Sequence, residues 1–199
     1  MDLEPFWELV ERARADAGGD ALGQIELLVE WLSRTSAARV REFGAQWEQA
    51  MDALYTWELW GAGAIMLDFC SDDGFEYFRA WLVCHGRRVA EVAATDPDRL
   101  AELELAFVDG DATLEEALGV AHRAHTAITG DEEAWWEEDD DIGVGFSGPA
   151  GEPWPTTVEG FAARWPRLWR AYGPRAWLAP PCHGDPADGL LNIARPPTR

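Results

Sequence analysis

Apolar residues recur three and four positions apart along nearly all of residues 1–130, and nowhere do apolar and polar residues alternate for more than four positions. Side chains three and four apart share a helix face, whereas a half-buried strand needs a period of two. The chain is therefore confined to helical solutions. Leu3, Phe6, Trp7 and Val10 predict a helix over 3–16, ended by Gly18 and Gly19. Leu22, Ile25, Leu28, Val29 and Leu32 predict a second over 21–34. Ser36 is placed to cap a third, which carries Val40, Phe43, Trp47, Met51 and Leu54. The stretch from Trp57 to Leu67, WELWGAGAIML, is apolar nearly all round, as in a helix buried on several sides. Gly61 and Gly63 within it are expected to let neighbouring backbones approach closely.

A helix starting at Ser71 should close at Gly86, since glycine commonly stands just past a C-terminus. A short helix follows from Arg87 to Ala94, and Asp96 with Pro97 restarts a helical turn. Residues 112–129 read as one more helix, with Leu114, Leu118, Ala121 and Ile128 inward and Gly130 as its stop. The expected fold is all-α: a compact helical domain of about six to eight helices over residues 1–130. Residues 131–199 read as an acidic linker and a Pro/Gly-rich C-terminal extension packing on that core. Residues 131–141, DEEAWWEEDDD, hold eight acids around Trp135 and Trp136, and blocks of like charge usually stay solvated. A loop rich in Gly and Pro follows. Then comes a helical piece that Thr157 can cap and Pro166 should break. The tail is expected to be extended and partly ordered through Trp177, Leu190, Leu191 and Ile193.

With 199 residues and 47% hydrophobic composition, the chain can bury a core of its own. Twelve tryptophans spread along it argue either for order throughout or for rings kept on a binding surface. The net charge is −21, from 37 acids against 16 bases, all of them arginine. Such a charge opposes nucleic acid, whose phosphates require a basic patch, and anionic membranes alike. It steers a cationic protein partner inward, or serves plain solubility. No apolar run approaches the roughly 18 residues of a membrane span. The first residues lack the basic and apolar regions of a secretory signal. Free thiols at Cys70, Cys84 and Cys182 then fit a cytoplasmic location.

The motif with most to explain is CSDDGFEYFRAWL at 70–82. Ser71 precedes an amphipathic run in which Phe75, Phe78 and Leu82 share a face. A Ser or Asp at an N-cap contributes about 0.5–2 kcal/mol, and acids in the first turn suit the helix dipole. Capping needs one such residue, however, and Gly74 inside the first turn costs roughly 1 kcal/mol relative to Ala. That surplus marks Ser71, Asp72, Asp73, Glu76 and Arg79 as a candidate functional site. Asp72, Glu76 and Arg79 fall on one helix face. With Asp68 they offer oxygens to Mg²⁺ or Ca²⁺, or else Arg79 pairs with Glu76.

Three further features stand out. His122 and His125 lie three apart on a helix and are candidate metal ligands, though no third ligand is evident. Their other role is structural. The Cys-His-Gly string at 84–86 and 182–184 puts its ligand types too close together for an ordinary zinc site. Trp135 and Trp136 either dock on the domain or anchor a partner, tryptophan being enriched in binding hot spots. The sequence holds no phosphate loop, dinucleotide fingerprint, nucleophile elbow or CxxC, and no cofactor is expected.

PFWELV at 5–10, LWGAGAIM at 59–66 and CSDDGFEYFRAWLVCHGR at 70–87 together resemble the bacterial domain of unknown function 4240 family. That family combines a Phe-Trp pair near the N-terminus with a Leu-Trp-Ala-Ala helix and a Cys-Ser-Asp-Asp-Gly-Phe string closing at Gly-Arg. The resemblance covers about residues 1–130, and the C-terminal third departs from it. It implies a mostly helical domain, sometimes joined to other modules, with no established activity and no assigned catalytic residues.

The functional expectation is a binding or regulatory module that recognises a basic protein partner through an acidic, Trp-rich surface. The alternative is a carboxylate- or metal-dependent hydrolase centred on the helix start at Ser71, with His122 or His125 nearby. A third reading is an acidic mimic of nucleic acid. Whether a small molecule binds is not legible in the sequence.

Overall fold

The computed structural model describes residues 3–67, 70–136 and 148–173. The expectations for Asp68, Cys182, Trp177, Leu190, Leu191 and Ile193 fall outside those residues. Helices are α1 (Glu4–Asp16), α2 (Ala21–Ser33), α3 (Ala37–Ala53), α4 (Trp57–Leu67), α5 (Asp72–Cys84), α6 (Arg87–Thr95), α7 (Val120–Thr129), α8 (Val158–Arg164) and α9 (Pro166–Tyr172). Short 3-10 turns occupy Pro97–Glu102, Glu115–Gly119 and Glu133–Trp135. Among the described residues there is no strand, only isolated bridges at Thr56–Ala150 and Val108–Asp111. The fold is all-α.

The predicted boundaries follow from caps that the sequence already carries. Ser36 accepts from the Arg39 N–H, Ser71 from the Gly74 N–H and Thr157 from the Gly160 N–H. Gly86 adopts φ 93°, a left-handed conformation suited to glycine, and ends α5 while opening α6. Pro166 separates α8 from α9. One helix differs from expectation. Residues 112–114 are not helical, because the Leu114 N–H is drawn to the Tyr77 carbonyl of α5 at 3.2 Å. Only a 3-10 turn precedes α7, which begins at Val120 rather than near residue 112.

Helix α5 is the axis of the core. Phe75, Phe78, Ala80, Trp81, Leu82 and Val83 are all fully buried. The helix packs against α1, α3, α4 and α6, so its burial extends well beyond the single Phe75–Phe78–Leu82 face. Gln24 on α2 takes an inward place that an apolar pattern would not assign. Its amide donates to the carbonyls of Val10 and Cys84 and ties the middle of α1 to the end of α5. With Gln24, Ile25, Leu28 and Leu32 inward, Leu22 falls off the packed face and is 46% exposed.

Residues 148–173 are bound into this core. Ala150 accepts from the Trp57 N–H and donates to the Tyr55 carbonyl. Arg164 pairs with Glu58 and holds the carbonyls of Glu152 and Pro153. Asp98, itself buried, accepts the backbone N–H groups of Arg167 and Leu168 at 2.9 Å and so caps α9 from the Pro97–Glu102 turn. Trp165 is fully buried against Gly61, where a Cβ would stand 2.2 Å from its ring. Phe78 likewise fills the space beside Gly63. The α4 glycines therefore admit aromatic rings rather than neighbouring backbones.

Candidate functional site

At the start of α5 the motif resolves into separate structural tasks. The Cys70 carbonyl accepts the Trp60 indole N–H at 2.9 Å, and the Cys70 thiol is buried beside Gly63. Burial pushes its pKa up, so it stays a neutral thiol. Ser71 makes the cap. A Cβ on residue 74 would lie 3.2 Å from the Ser71 Oγ, so glycine leaves room for the hydroxyl to reach the N–H. Gly74 thus serves the cap it had seemed to weaken.

Phe75 stacks on Trp60 with ring centroids 4.8 Å apart and planes within 8°, and Trp60 stacks in turn on Trp57. Arg79 lies over the rings of Tyr55 and Phe75 at 4.8 and 5.0 Å and donates to the Met51 carbonyl at the end of α3. It makes no ion pair with Glu76 among the described residues. Burial, opposed by Glu76 and other nearby charges, lowers its pKa. Asp72, Asp73 and Glu76 are exposed. Desolvation, and after it the carboxylates of Glu115, Asp73 and Glu76, push the Tyr77 phenol upward. Among the described residues, no group of three or more His, Cys, Asp or Glu is arranged to hold a metal ion.

The second candidate region lies where α7 ends. Gly130 closes the helix in the left-handed conformation. The Asp131 carboxylate then accepts the N–H groups of Glu133 and Ala134 at 3.0 and 3.3 Å, shaping the turn that carries both tryptophans. Trp135 enters the groove between α3 and α7, with its ring edge against Gly44 of α3 and the His125 ring of α7 beside it. Arg41 covers that ring at 5.1 Å and donates to the carbonyls of Ala134 and Trp135. The buried His125 ring meets Trp135 edge-on at 5.4 Å. His122 interacts with the Glu132 carbonyl at 3.2 Å and lies 5.4 Å from the Trp136 ring.

The structure thus brings together His122, His125, Trp135 and Trp136, which the sequence had put in two separate motifs. It also separates the two adjacent tryptophans. Trp135 is a docked ring, while Trp136 is 59% exposed. Around them Asp131, Glu132 and Glu133 face solvent. The arrangement holds an exposed indole in an acidic setting. Arg41, whose hold on the turn fixes the geometry, carried no signal in the sequence.

Cys84 and His85, the first Cys-His pair, are parts of the packing. Burial pushes the Cys84 thiol up to about 12. His85 accepts the Ala106 N–H at Nε2, so Nδ1 carries the proton and donates to the Trp81 carbonyl. Desolvation lowers its pKa to about 4, and the ring is neutral at pH 7.

A family model described as "Protein of unknown function (DUF4240)" matches residues 1–127. No curated protein and no solved structure matches the chain. The matched span contains α1 to most of α7 and stops short of the tryptophan pair.

Proposed function

The chain belongs to the DUF4240 family, and on that premise we propose that it is a binding module which engages a basic protein partner through Trp136 and the acids beside it. One observation carries this reading: Trp136 is 59% exposed while its neighbour is locked against α3 and α7. A solvent-facing indole on a fixed turn loses little conformational freedom on binding and can bury a large ring. The net charge of −21 supports a partner whose contact surface is cationic. Of the two roles that the sequence left open for this pair, docking or anchoring, the packing of Trp135 against Gly44 supports docking for that ring.

The hydrolase alternative has less support. Asp72, Asp73 and Glu76 are exposed, and no hydrogen bond among the described residues joins them to a histidine. Capture from a lysate of the native host, comparing the parent with Trp136→Ala, tests the binding reading. The parent should retain a partner that the variant loses and that elutes as salt is raised. Equal capture by both proteins removes Trp136 as the anchor.

A further inference from the structure

Acids outnumber bases by 37 to 16, so an arginine without a carboxylate is unexpected here. Most described arginines do have one: Arg12 with Asp16, Arg34 with Glu30, Arg39 with Glu42, Arg87 with Glu4 and Glu91, Arg99 with Glu102, Arg123 with Glu26, Arg164 with Glu58, Arg167 with Asp98 and Glu102. Arg79 holds a carbonyl instead. Arg14 and Arg88 make neither an ion pair nor a hydrogen bond through their side chains among the described residues, and both line the same hollow. It has a volume of about 370 Å³ and lies where the end of α1 meets the junction of α5 and α6.

The rest of the lining leaves this hollow open to an anion. Gly18 and Gly19 form one rim in left-handed conformations, and a Cβ on either would meet nothing within 4 Å. His85 contributes a neutral wall, since both its ring nitrogens are taken by backbone groups. The one carboxylate in the lining, Glu11, is engaged elsewhere: its Oε1 accepts the Arg87 N–H at 3.0 Å and its stem covers Gly86. Arg14 is only partly exposed, and desolvation lowers its pKa. A partly desolvated cation that makes no ion pair among the described residues leaves interaction energy available to an incoming anion.

We propose that this hollow is a binding site for a small oxyanion, a phosphate or carboxylate group, gripped by the guanidinium groups of Arg14 and Arg88. Guanidinium forks match both anions in a bidentate manner, and two of them around one group favour a doubly contacted oxyanion over chloride. The volume leaves room for an organic portion beside the anionic head. The site is independent of Trp136, and its test does not involve a protein partner.

The test is calorimetric titration of the full chain with inorganic phosphate and separately with acetate. Sodium chloride at matched ionic strength is the control. Saturable heat with phosphate, acetate or both, and none with chloride, is the expected result. Phosphate alone identifies a phosphoryl ligand, acetate alone a carboxylate, and both a general oxyanion site. Arg14→Gln and Arg88→Gln should each weaken binding at least tenfold. Arg170→Gln, which removes an exposed cation away from the hollow, should leave it unchanged. Arg88 is itself exposed, so its variant keeps the fold and the reading stands even if Arg14→Gln is destabilised. Absence of saturable binding to either anion, or binding that survives both substitutions, overturns the proposal.

Discussion

Residues 70–79 and residues 131–136 both set acids beside aromatic rings, yet the first stretch buries both its phenylalanines and the second leaves one indole in solvent. At the start of α5 Phe75 and Phe78 are enclosed by neighbouring helices, Tyr77 is half-buried, and Asp72, Asp73 and Glu76 are left exposed. Beyond α7 a three-residue turn carries adjacent indoles in different directions, and only one finds a groove. Acids beside aromatic rings therefore do not distinguish a scaffold from a surface. The number of neighbouring elements available to cover the rings does.

Replacing Phe75 by Ala tests this difference most severely. The side chain is fully buried between Trp60 and Tyr55, so truncation should cost about 3–5 kcal/mol in denaturant unfolding. A loss below about 1 kcal/mol would mean that the stack is not part of the core. At the other end of α5, His85 gives a pH signature. Its folded pKa, near 4, lies below the ordinary 6.5, so the unfolded chain binds more protons between those values. The stability from a neutral His85 is fully present above pH 6.5 and is lost as pH falls toward 4, at up to about 1.4 kcal/mol per pH unit. His85→Gln, which keeps one donor and one acceptor, should flatten this part of the pH profile; an unchanged profile would mean that His85 is not the group responsible.

Smaller effects separate the tryptophan pair. Trp135→Ala should destabilise by at least about 1 kcal/mol through lost burial, and Trp136→Ala by less than about 0.5 kcal/mol. Gly44→Ala sharpens the contrast, because the new Cβ would stand 2.9 Å from the Trp135 ring and should loosen its dock. Equal costs for both tryptophans would break the distinction. The finest test lies at Ser71. Ser71→Ala should lose about 1 kcal/mol with its cap, while Asp72→Asn or Asp73→Asn should change stability by only a few tenths. A larger loss at either aspartate would show that it has a structural partner of its own.

Much of the fold was legible because its determinants are local. Ser36, Ser71 and Thr157 announce helix starts that the structure keeps, and Pro166 announces a break that occurs. The start of α7 was not legible, because it depends on a bond from Leu114 to Tyr77 some 37 positions away. Gln24 was equally hidden, since its polar side chain is buried only to satisfy carbonyls that α1 and α5 bring together. At the candidate site the residue types were visible but their partition was not. Trp135 and Trp136 have the same chemistry and adjacent positions, and nothing in their order says which one Arg41 will cover. The hollow at Arg14 left no mark in sequence, because whether an arginine meets a carboxylate depends on which helix ends pack together.

The sequence by itself determined that this chain is helical, where most of its helices begin and end, and that its surface is strongly acidic. Those properties depend on periodicity, caps and composition, which act within a few residues or over the whole chain. Only the tertiary structure decided that Gly74 makes room for the Ser71 cap, that Trp165 plugs the gap at Gly61, that Trp136 stays in solvent and that two arginines share a hollow. Burial and pairing between distant elements are settled by which faces meet, and no single stretch of chain carries that information.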